Sequence, residues 1–137
     1  MNPVTIRRLT VVFIALAAAV LGAGPATADP ALQVSVTGAQ LASGGQQVVV
    51  SGQYVCGPFS SADGVVDLTL VQAATTGYGY LYPAVCDGTA QTWSAPVDSV
   101  GGPFVRGRAQ VTGSGYVCDP GGTCAFGSFG PTGVRIR

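Results

Sequence analysis

In Val66-Asp67-Leu68-Thr69-Leu70-Val71-Gln72, Val66, Leu68 and Leu70 alternate with Asp67, Thr69 and Val71. That period of two marks a strand with one face on a core and the other in water. The same alternation appears toward both ends. Leu32, Val34 and Val36 interleave with Gln33, Ser35 and Thr37, while Val134 and Ile136 interleave with Arg135 and Arg137 after the turn residue Gly133. Val48 through Cys56, Tyr78 to Cys86, Thr89 to Val97 and Gly107 to Cys118 supply further extended stretches. Between them lie turn compositions such as Gly57-Pro58, Ala62-Asp63-Gly64, Gly101-Gly102-Pro103 and Gly130-Pro131-Thr132-Gly133, whose residues suit positive φ or a fixed bend. The Gly113-Ser114-Gly115 run marks a bent strand or bulge.

About seven short strands at this spacing predict an all-β domain, an antiparallel sandwich of immunoglobulin-like arrangement. No stretch after residue 28 carries a helical stripe. The first 28 residues read differently: Arg7 and Arg8 precede an apolar run, Leu9 to Leu21, and Ala26-Thr27-Ala28 matches a signal-peptidase site before Asp29. An uncleaved anchor needs about 20 apolar residues, and Gly22, Gly24 and Pro25 interrupt this run too early. The expected organisation is a secretory signal peptide at 1–28 and one sandwich domain at 29–137, with no lipid-modified cysteine and no membrane span after cleavage.

The expected mature chain contains no His, Lys, Glu, Asn or Met, and sets four arginines against six aspartates, a net charge of −2 before the termini. That balance gives no electrostatic footprint for nucleic acid or an anionic membrane surface, and neither is expected as a partner. Four cysteines, Cys56, Cys86, Cys118 and Cys124, become disulfide candidates in an oxidising compartment. Three pairings are possible. Asp119-Pro120-Gly121-Gly122-Thr123 between the last two is a strong turn, so a hairpin would bring Cys118 to Cys124 and leave Cys56 with Cys86. Trp93, shortly after Cys86, suits the core role of covering a disulfide.

Two resemblances follow from particular segments. Gly52-Gln53-Tyr54-Val55-Cys56, Val66 to Gln72 and Cys86-Asp87-Gly88-Thr89-Ala90-Gln91-Thr92-Trp93 resemble an uncharacterised group of secreted actinobacterial immunoglobulin-like proteins. Membership implies a sandwich but no activity. Val34-Ser35-Val36-Thr37 with Leu41 and Gly44, and Gly130 to Ile136 after a local Cys118 to Cys124 pair, are more distantly similar to the neocarzinostatin family. That family implies a sandwich whose crevice holds an apolar ligand. The first cysteine pair here encloses a much longer stretch than the family's early disulfide, and fold transfers better than binding does.

Catalysis has few instruments without His, Glu, Lys or a free thiol, so triads, His-ligated metals and Schiff bases are excluded for residues 29–137. Asp87 with Asp98 is the least poor carboxylate pair for an Asp-dependent hydrolase, although Asp87-Gly88-Thr89 is foremost a turn. Asp63 and Asp67 lack the spaced acidic ligands of a calcium site. No metal or cofactor is expected.

The most suggestive feature is aromatic. Tyr78, Tyr80 and Tyr82 are spaced to project from one face of a strand. Phe59, Phe104, Phe126 and Phe129 sit in Gly/Pro-rich stretches that read as connections, where exposed rings can rim a binding site. The ordinary use of most of these rings is to close the ends of a small core. The leading functional expectation is a secreted non-catalytic domain that binds a protein, a glycan or an envelope component. The alternatives are a carrier of a small apolar ligand and, last, the hydrolase.

Overall fold

The computed structural model describes residues 30–137, so the signal peptide expected at 1–28 lies outside the described residues. Seven strands follow in chain order: β1 Ala31–Ala42, β2 Gln47–Gly57, β3 Asp63–Gln72, β4 Thr75–Leu81, β5 Gln91–Val100, β6 Gly107–Cys118 and β7 Cys124–Ile136. A single 3₁₀ turn, Ser43–Gly45, joins β1 to β2.

The strands are bonded in the order β1-β2-β5-β4-β3-β6-β7 and close into a barrel. The expectation of an all-β chain stapled by two disulfides is met. The ladder runs unbroken around the strands, however, where the strand spacing predicts two facing sheets. Two local features allow closure. The β1–β2 register shifts between Val36 and Gly38, and a bulge of this kind bends a strand and increases its twist. Beyond it Ala39 pairs in parallel with Ile136, while Arg137 N–H donates to the Ala39 carbonyl and Leu41 N–H to that of Arg137.

The period-two apolar positions fill the interior. Val48, Val50, Val66, Leu68, Leu70, Val97 and Val111 are essentially without solvent contact, each contributing about 1.5–3 kcal/mol relative to an exposed side chain. Trp93 is 6% exposed and shares this cluster with Cys56 and Cys86, the core role expected of it. It lies directly opposite Gly52 on β2, and a β-carbon at Gly52 would meet the Ser35 carbonyl and come within 3.0 Å of the indole Nε1. The absent side chain thus makes room for the ring and for β1. Among the described residues, the indole N–H itself has no hydrogen-bond partner.

Phe104 is 1% exposed. Its ring occupies the space beside Gly77, where a β-carbon would stand 2.8 Å from it, and its amide donates to the Gly45 carbonyl. It is a core residue and not part of a binding surface, a correction to the reading of its Gly/Pro-rich flanks. Those flanks let the loop turn the Phe104 ring inward.

Two strand boundaries also differ. The predicted strand Tyr78 to Cys86 ends at Leu81, because Pro83 has no N–H for a ladder and the following residues are drawn toward β2. There Phe59 N–H donates to the Cys86 carbonyl, Gly88 N–H to that of Cys56, and Val85 N–H to the Tyr54 hydroxyl. Conversely, Phe126 and Phe129 lie inside β7, not in a connection. Gly127, Gly130 and Pro131 look like turn residues, yet Gly127 pairs with Gly115, and β7 resumes its pairing at Thr132 after Gly130 and Pro131, which lie unpaired at the register shift. The β6–β7 register shifts between Val111 and Gly113, at the start of the glycine run, and Phe129 covers Gly113 from across the ladder.

Candidate functional site

The outward positions of β4, β3, β6 and β7 form one surface. Tyr80 pairs with Asp67, Asp67 with Ser114, and Ser114 with Ser128. One level toward β4's start, Tyr78 pairs with Thr69 and Thr69 with Thr112. One level the other way, Val65 pairs with Tyr116 and Tyr116 with Phe126. Tyr82 continues the β4 row just beyond the last ladder pair, Val66 with Leu81.

This surface holds five exposed rings: Tyr78, Tyr80, Tyr82, Tyr116 and Phe126. Tyr82 is 67% and Phe126 76% exposed, so these side chains contribute little to the core. The rings stand in two tilted pairs, Tyr80 with Tyr82 at 6.4 Å between centroids and Tyr116 with Phe126 at 6.3 Å. Between the pairs lie short hydroxyl side chains and the Asp67 carboxylate. A groove of about 580 Å³ runs beside the tyrosine row over Ser94, Pro96 and Asp98 of β5. A second, of about 520 Å³, lies between Asp67 and the Tyr116–Phe126 pair. Neither lining contains a cation.

Of the sequence-derived candidates, Tyr78, Tyr80, Tyr82 and Phe126 reach this surface. Phe59 and Phe129 are partly buried against the core. Tyr116 was missed by sequence reasoning, although a signal existed. In an antiparallel hairpin closed at Cys118–Cys124, two steps back from each cysteine place Tyr116 opposite Phe126 on the same face.

The carboxylates proposed for acid–base work are apart. Asp87 occupies the turn before β5, where its Oδ1 accepts from the Thr89 hydroxyl at 2.6 Å and the Thr89 amide at 3.0 Å. These bonds, the hydroxyl foremost, hold its carboxyl below the usual aspartate value. Asp98 accepts from Gln47 Nε2 at 2.9 Å near the other end of β5. Seven residues of extended strand separate it from Gln91, roughly 23 Å, well beyond the spacing that glycosidic carboxylate pairs use.

Cys56–Cys86 and Cys118–Cys124 are both bonded, the pairing expected from the turn composition. They are consistent with an oxidising, extracellular compartment. Among the described residues, no three His, Cys, Asp or Glu side chains form a group able to hold a metal ion, and no helix is long and apolar enough to cross a membrane. Comparison with protein-family models, characterised proteins and solved structures finds no match.

Proposed function

We propose that this chain is a secreted, non-catalytic binding domain whose recognition surface is the outer face of β4, β3, β6 and β7, and that it takes a glycan. The observation carrying this reading is the five-ring surface. Rings offer flat apolar faces for the C–H faces of a sugar, and they lose little entropy on binding. Asp67, Thr69, Thr112, Ser114 and Ser128 stand among them as short hydrogen-bonding groups for sugar hydroxyls. A protein partner is the competing occupant. The test is retention on polysaccharides and its loss when the tyrosines are replaced.

The barrel is, on this reading, an immunoglobulin-like sandwich with its edges bonded. Its order, β1-β2-β5-β4 followed by β3-β6-β7, corresponds to the ABED and CFG sheets of that fold. The order favours membership in the secreted actinobacterial group that the central segments resemble. Secretion rests on the signal-like residues 1–28 and the two disulfides. The separation of Asp87 from Asp98 weighs against an Asp-dependent hydrolase.

A second reading, a neocarzinostatin-like carrier of an apolar small molecule, is favoured by the groove of about 580 Å³ beside the tyrosine row. Its volume falls within the range of small-molecule sites. Copurification of a small molecule with the secreted protein would support it over the glycan reading.

A further inference from the structure

The end of the β6–β7 ladder away from Cys118–Cys124 is cationic. All four cationic side chains after residue 28 cluster here: Arg108 near the start of β6 and Arg135 near the end of β7, with Arg106 just before β6 and Arg137 just after β7. The register places Arg108 directly across from Arg135, and both side chains are exposed. Like charges directly opposite on one face of a sheet are destabilising. Nothing in the immediate lining relieves them: the groove between these arginines, about 560 Å³, is walled by Val71, Ala73, Gln110, Gly133 and Val134 among others, with no carboxylate. Gly133 keeps it open, since no heavy atom lies within 4 Å of where its β-carbon would be.

The backbones carrying the two arginines are held in place. Gln72 Nε2 donates to the carbonyls of Val105 and Arg108, and its Oε1 accepts from Val105 N–H. That clamp fixes the loop entering β6 against the end of β3. Arg135 lies within the β6–β7 ladder, one residue before the contact of Ile136 with β1. Two guanidinium groups are therefore presented from rigid strands toward a groove with an apolar floor.

We propose that this groove binds a phosphomonoester, with Arg108 and Arg135 as paired ligands. One guanidinium suffices for a bidentate bond to a planar carboxylate. Two facing ones match a phosphate that carries a charge of about −1.5 to −2 and three acceptor oxygens. Val71 and Ala73 then receive the organic group that bears it. The net charge of −2 over residues 29–137, four arginines against six aspartates, conceals this site, because averaging charge over the sequence cancels arginines that the fold gathers at one end. The proposal is independent of the glycan reading.

The experiment measures thermal unfolding of the full mature chain in inorganic phosphate against chloride at constant ionic strength, with Arg108→Gln and Arg135→Gln beside the wild type. It adds sedimentation with vesicles of phosphatidylcholine, with and without phosphatidic acid. The expected result is a saturable rise in melting temperature with phosphate that chloride does not reproduce. Each variant should bind phosphate about tenfold or more weakly yet melt no lower than the wild type in chloride, since the substitution removes a repulsion. Sedimentation specific to phosphatidic acid, lost in both variants, would identify a lipid headgroup as the source, and a phosphate response without sedimentation a soluble phosphomonoester. The proposal is overturned if neither inorganic phosphate nor phosphatidic acid gives a response, or if the response persists in both variants.

Discussion

Tyr116 and Phe126 face each other across the β6–β7 ladder, two positions from the Cys118–Cys124 bond, with ring centroids 6.3 Å apart. The short disulfide is thus also the clamp that holds one aromatic pair on the candidate surface. Fixing these rings in the free protein lowers the ordering cost that binding would otherwise incur.

Removing each disulfide separates its two roles. In the chain-entropy model, replacing Cys56 and Cys86 by Ala costs about 3.7 kcal/mol and replacing Cys118 and Cys124 about 2.4 kcal/mol, following the loop each one closes. Urea unfolding of the two double variants should show that order. A larger loss for the shorter loop would show that native packing around Cys118–Cys124, not chain entropy, dominates.

Trp93 combines a large buried ring with an unpartnered N–H. Trp93→Ala should cost about 3–5 kcal/mol. Trp93→Phe should cost much less, because it keeps most of the ring while removing a donor whose burial unpaired costs about 1–3 kcal/mol. Equal losses in denaturant melts would mean that the indole nitrogen has a partner, such as a bound water.

The Asp87 turn has a pH signature. Because the folded carboxyl titrates below its usual value, its contribution is fully present above the ordinary aspartate value and is lost as pH falls through the lowered one. Thr89→Val removes the hydroxyl donor, so the Asp87 carboxyl should titrate higher by carbon NMR, toward the ordinary value. An unchanged titration would assign the shift to another group.

How far the sequence was legible follows from the range of the interactions involved. Val66, Leu68 and Leu70 are inward and Asp67 and Thr69 outward, because side-chain alternation is local. The Cys118–Cys124 pair was readable because a five-residue turn composition separates its halves. Closure through Ala39 and Ile136 was not, since it joins the two ends of the domain through a bulge with no composition of its own. Phe104 and Phe126 show the same limit. Both stand among glycines and prolines, yet one fills the space beside Gly77 and the other lies on an outer face, a difference set by distant strands.

The N-terminal processing has a direct test. Sequencing the exported protein should give Asp29 as its first residue, as Ala26-Thr27-Ala28 predicts. Recovery of Met1 on a membrane-bound, exported form would require an uncleaved anchor.

The central claim, recognition of a glycan through the outer aromatic face, is tested most directly by affinity for a panel of cellulose, chitin and purified cell-wall polysaccharide, measured beside the melting temperature for the wild type and a Tyr78→Ala, Tyr80→Ala, Tyr82→Ala triple variant. Retention of the wild type on one of these, with a loss of about 2 kcal/mol or more in the triple variant, is the predicted result. Because all three rings are exposed, the triple variant should melt close to the wild type. Unchanged binding by a folded triple variant, or no retention of the wild type on any of the polysaccharides, would contradict the account.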